Sequence, residues 1–102
     1  MELPIACTLT AAELLERRRT VLDSMRKEVT GVTELADGYI YDFEPNSETL
    51  LRLNRLVDME RQCCQFLTFK IIGESGNGPL RLEVRGTAEA KPVIADFFGK
   101  DV

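Results

Sequence analysis

The chain contains no histidine, which removes the side chain that most often serves as a general base or as a neutral metal ligand near pH 7. It has no glycine-rich phosphate loop, no nucleophile-elbow motif and no Cys-x-x-Cys pair. A serine nucleophile is unsupported, because no base stands ready to take its proton. Structural zinc fits poorly as well: such sites use four ligands at recognisable spacing, and three cysteines without histidine do not supply them.

Long apolar runs are missing too. No segment approaches the roughly 18 apolar residues that a membrane span needs, and Met1-Glu2-Leu3-Pro4-Ile5-Ala6-Cys7 is not a basic leader followed by an apolar stretch. No membrane association and a cytoplasmic location are therefore expected. Positive charge is scarce: 13 basic residues face 17 acidic ones for a formal charge of −4, and only Arg17-Arg18-Arg19 forms a cluster. Nucleic acid is not an expected partner, since no surface is basic enough to track a phosphate backbone.

What remains describes one soluble globular domain spanning residues 1–102, with 44 % hydrophobic and 29 % charged residues, large enough for a single modest core. Its three cysteines are an odd number and two are neighbours. A bridge between Cys63 and Cys64 would close a strained ring across one peptide bond, so a disulfide framework is not expected and the thiols are read as reduced.

The pattern of elements is α+β. Thr10 and Glu13 form a capping box, and Leu9 and Leu14 a hydrophobic staple, for a helix from about residue 11 to about 28. Leu14, Leu15, Val21, Leu22, Met25 and Val29 form its apolar face, and Arg18 is the one basic residue within that stripe. Asp37-Gly38 is a turn dipeptide ahead of Tyr39, Tyr41 and Phe43 on one face of a strand. Pro45-Asn46-Ser47 breaks and caps before a second helix whose stripe reads Leu50, Leu53, Leu56, Val57, Cys63, Cys64 and Leu67, ending at about Phe66. Phe69 and Ile71, then Leu80, Leu82 and Val84, flank a Gly-rich turn as a second hairpin, and Val93, Ile94, Phe97 and Phe98 mark a last helix closed by Gly99. Alternation at Ile5, Cys7 and Leu9 suggests a short first strand. Three helices on one face of a largely antiparallel sheet built from hairpins, with the other face polar, is the expected architecture.

The chemistry concentrates in Glu60-Arg61-Gln62-Cys63-Cys64-Gln65-Phe66-Leu67. Glu60 stands three residues from Val57 and Cys63 and four from Leu56 and Cys64, inside the apolar stripe. A carboxylate there needs a partner, because burying a lone charge costs several kcal/mol, roughly. Arg18 is the candidate, either as a plain ion pair joining two helices or, with Glu60, as the edge of a site. Cys63 and Cys64 have two readings, small core residues or soft-metal ligands, with Cys7 a third donor if the first strand lies alongside. Their side chains point about 100° apart on a regular helix, so sharing one ion requires distortion at the helix end. Tyr39 and Tyr41 could line an aromatic pocket beside Glu60, although aromatics on alternating strand positions more often build core.

The segment Leu56-Val57-Asp58-Met59-Glu60-Arg61-Gln62-Cys63-Cys64-Gln65-Phe66-Leu67-Thr68-Phe69, with Cys-Thr-Leu-Thr and Glu-Arg-Arg upstream and Leu-Arg-Leu-Glu-Val-Arg-Gly downstream, resembles a family of small uncharacterised bacterial proteins with an E-R-x-C-C-x-F-L-x-F signature. The resemblance implies an association with bacterial metal stress and carries no established activity. The commonest variant expected there has proline after the cysteine pair; Gln65 takes that place, which implies a less sharply broken helix end. Three readings follow: a thiol-based binder of a soft metal or metalloid ion, a noncatalytic interaction or small-ligand module, as a homodimer, with core cysteines, and a thiol-dependent redox enzyme. The first is favoured, since ligands and an anchor are present but no nucleophile–base pair is.

Overall fold

The computed structural model describes the backbone over residues 12–99, and the side chains over that range except for 12–15, 17, 18 and 97. Helix α1 spans Ala12–Arg26, strands β1 and β2 span Gly31–Leu35 and Gly38–Phe43, and helix α2 spans Ser47–Cys63. Strand β3 (Thr68–Gly73), a 3₁₀ turn at Ser75–Asn77, strand β4 (Leu80–Arg85) and helix α3 (Lys91–Phe98) complete the order. The expected α+β class holds. The four strands form one antiparallel sheet in the order β1-β2-β4-β3, with three helices against it. Among the described residues no helix is long and apolar enough to cross a membrane. Ile5, Cys7 and Leu9, the Thr10–Glu13 capping box and the Leu9–Leu14 staple fall outside the described residues and side chains.

Period-two alternation sorts the sheet into two faces. Tyr39 pairs with Val84 and Val84 with Phe69, while Tyr41 pairs with Leu82 and Leu82 with Ile71, so all six share the face toward the helices. Leu22, Met25, Tyr41, Phe43, Leu56, Leu82 and Phe98 surround one narrow gap where the three helices meet β2 and β4. The opposite face carries charge in register: Lys70 lies 3.7 Å from Glu83, Glu83 lies 3.1 Å from Arg85, and Arg81 lies 3.1 Å from Asp42.

Three local expectations change. Asp37-Gly38 is not the hairpin turn: Leu35 pairs with Gly38, so Ala36 and Asp37 turn and Gly38 already belongs to β2. Glycine is required there because a Cβ would stand 1.9 Å from the Val84 carbonyl oxygen. Helix α1 stops at Arg26, two residues before the expected end, because the chain must turn for Thr30 to donate to the Asp42 carbonyl (2.8 Å). Leu50, expected in the apolar stripe of α2, is exposed beside Leu51; Thr49, Leu53, Leu56, Glu60 and Cys63 form the buried line instead.

That line follows from the cap. Asn46 accepts the Thr49 N–H at 2.8 Å and starts α2, and from Thr49 onward steps of three and four residues keep the same side inward. Rotating α2 far enough to wet Glu60 would also expose Leu53 and Leu56, at about 1.5–3 kcal/mol each. The apolar neighbours therefore hold the register, and Glu60 has to be satisfied where it stands.

Candidate metal centre

Helix α2 ends at Cys63, earlier than the expected Phe66. Cys64 leaves helical geometry at φ −115° and ψ 74°, while its N–H still donates to the Glu60 carbonyl at 2.6 Å. Leu67 then donates to the Cys64 carbonyl at 3.1 Å and enters the core immediately before β3. Burial of Leu67 and the start of β3 at Thr68 set this break, with Gln65 in the turn between them.

The break supplies the distortion that adjacent cysteines on a regular helix would lack. The two sulfurs are 3.9 Å apart, and the Cys64 Sγ donates to Glu60 Oε2 at 3.5 Å. One ligand atom from each of Glu60, Cys63 and Cys64 lies within 4.8 Å of the others, and all three residues are buried. Each also has a further partner. A carboxylate oxygen and two sulfurs at this spacing are close enough to bind one metal ion.

The expectation of reduced thiols is met only in part. Cys63 is disulfide-bonded, whereas Cys64 is a buried thiol. A bond within the pair would close the strained ring across their shared peptide, so the bond leaves the pair. Cys63 must be reduced before it can act as a metal ligand, because a thiolate, not a disulfide sulfur, is the donor.

The surrounding charges fall on different sides of the helix. Arg61 turns away to Asp58, with its Nη2 2.7 Å from Oδ1 on the exposed face. The carboxylate of Glu60 is thus what the described contacts of Cys64 reach, not the neighbouring cation. Arg18 lies on α1 by its backbone and its side chain is outside the described set, as is Cys7.

Tyr39 and Tyr41 are buried on β2, with ring centroids 6.1 Å apart. Their described polar and ring contacts run to each other and to α3: Tyr41 donates to the Gly99 carbonyl at 2.6 Å, its ring lies 5.9 Å from Phe98, and Lys91 Nζ stands 5.4 Å from the Tyr39 ring centre. Burial and the neighbouring Tyr39 push the Tyr41 hydroxyl well above the ordinary tyrosine range, although Arg26 pulls the other way. The hydroxyl serves as a fastener for the end of α3.

An open cavity of about 410 Å³ lies between the first hairpin and the start of α3, lined by Glu34, Tyr39, Lys91, Pro92 and Asp96 among others. Lys91 Nζ is 3.2 Å from Glu34 Oε2 at its edge. Sequence reading did not single out Lys91 or Glu34, and no local pattern links residues so far apart in the chain. A second cavity, of about 310 Å³, lies beside Val21, Met25, Arg52 and Arg55.

The chain matches no protein-family model, no curated protein and no solved structure. Its class is defined by its own geometry: a small α+β domain with a buried thiol and carboxylate cluster where a helix gives way to a strand.

Proposed function

We propose that this domain is a thiol-based binder of a soft metal or metalloid ion, with reduced Cys63 and Cys64 as ligands, Cys7 as a third thiolate donor, and Glu60 with Arg18 orienting the site. The observation that carries the reading is the convergence of one carboxylate oxygen and two sulfurs, all buried, within 4.8 Å of one another. Soft thiolate donors select thiophilic ions over calcium or magnesium, which take oxygen. The resemblance to the E-R-x-C-C-x-F-L-x-F family points the same way. Because Cys63 must be a thiol to bind, the function belongs in a reducing compartment such as the cytoplasm.

Loading replaces S–H bonds with sulfur–metal bonds and sends the thiol protons to water. The thiol of Cys64 already donates to Glu60 Oε2, which gives its proton a nearby acceptor during the exchange. Native mass spectrometry of the reduced protein with As(III), Hg(II) or Zn(II) tests the reading. One ion per chain, lost in Cys63→Ser and Cys64→Ser and weakened in Cys7→Ser, is the expected result. Uptake no greater than that of an unrelated protein with a buried cysteine would refute it.

A further inference from the structure

Two thiolates can hold an ion in a line or in a bend, and the distance between their sulfurs separates the two. With metal–sulfur bonds of about 2.3 Å, a collinear arrangement needs sulfurs about 4.6 Å apart. The Cys63 and Cys64 sulfurs are 3.9 Å apart, and at the same bond length this spacing subtends about 115° at the ion. Glu60 Oε2 lies to the side of the pair, 3.5 Å from the Cys64 sulfur. The three donors outline a triangle, the arrangement of a bent shell with a third ligand.

The spacing is held from several directions. The Cα–Cβ directions of the two cysteines are set by the helix end, where Cys64 N–H donates to the Glu60 carbonyl at 2.6 Å and Leu67 N–H to the Cys64 carbonyl at 3.1 Å. Both side chains are buried, Cys64 0 % and Cys63 1 % exposed, and the Cys63 sulfur is held here also by its disulfide, which must open before loading. Moving the sulfurs apart to a collinear spacing requires rotamer changes inside a packed core or a shift of the Cys64–Leu67 turn, and close-packed interiors resist both.

We infer, on the basis of the metal-binding reading above, that the reduced Cys63–Cys64 pair imposes a bent shell of three or more ligands, with Glu60 on its third side. The site accordingly favours ions that take trigonal, pyramidal or tetrahedral shells, such as a trivalent metalloid, over ions that seek two collinear thiolates. Binding exchanges two thiol protons for two sulfur–metal bonds and needs no electron transfer once Cys63 is reduced.

Mercury(II) is the stringent probe, because on two unconstrained thiolates it adopts a linear arrangement, so a bend can come only from the protein. The reduced full chain is loaded with one equivalent of Hg(II), and its coordination is read by mercury X-ray absorption and ¹⁹⁹Hg NMR. The expected result is one mercury per chain in a bent shell of at least three ligands, with that shell lost in Cys63→Ser. A linear two-sulfur shell, within one chain or bridging two, overturns the inference while leaving metal binding intact. Equal mercury retention by the Cys63→Ser/Cys64→Ser double variant overturns the inference and the binding reading together.

Discussion

Replacing Tyr41 by phenylalanine separates a fastening role for this residue from a ligand-binding one. The substitution keeps the ring that packs on Tyr39 and Phe98 and removes only the hydroxyl that donates to the Gly99 carbonyl at 2.6 Å. A net intramolecular hydrogen bond contributes about 1 kcal/mol, and Gly99 is half-buried, so water recovers part of the loss at its carbonyl. The expected cost near neutral pH is about 1 kcal/mol, or roughly 4–8 °C in Tm for a domain of this size. The pH dependence gives a second, sharper check. Tyr41 is held protonated in the fold, above its ordinary value of 10.0, so its contribution is fully present below that value and declines as the unfolded chain ionises above it. The decline approaches about 1.4 kcal/mol per pH unit. The variant lacks this slope, so the two stability curves should converge and cross roughly 0.6–0.7 unit above the ordinary tyrosine value. Urea titrations from pH 8 to 11.5, with metal uptake measured alongside, provide the assay. Curves that stay parallel through that range, or a variant that loses metal binding while keeping its stability, would refute the assignment.

Three further outcomes follow from the same structure. Gly38→Ala should cost about 3 kcal/mol, at the upper end for overpacking, because the added Cβ meets the backbone carbonyl of Val84 rather than a flexible side chain; a change below about 1 kcal/mol in chemical denaturation would contradict the strand register. Asn46→Ala should cost about 1 kcal/mol through loss of the Thr49 cap, with Asn46→Asp retaining most of it; equal stabilities for the two variants would remove the cap from the argument for the register of α2. Metal uptake should be lost when Cys63 is kept oxidised and return with a dithiol reductant, which supplies two electrons and two protons and leaves as its own disulfide; uptake indifferent to reductant would exclude Cys63 as a ligand.

Sequence alone determined a good deal here. Glu60 is buried as its spacing from Leu56, Val57, Cys63 and Cys64 demands, Asn46 caps as its place after Pro45 suggests, and the Phe69–Ile71 and Leu80–Val84 alternations pair as the second hairpin. These are local or periodic signals, in which one helix stripe or one strand face is written in a short window. Other features are set by contacts between distant segments. The glycine at position 38 answers to a carbonyl on β4, the fastening of Tyr41 depends on Gly99, and Leu50 is exposed because Thr49, not Leu50, falls on the side of α2 that meets the sheet. The cysteine pair shows the division most clearly. Sequence placed both thiols beside a carboxylate but left them pointing apart on a regular helix. Tertiary structure ends that helix at Cys63, because Leu67 must reach the core before β3 begins, and the resulting turn at Cys64 brings two sulfurs and a carboxylate oxygen together.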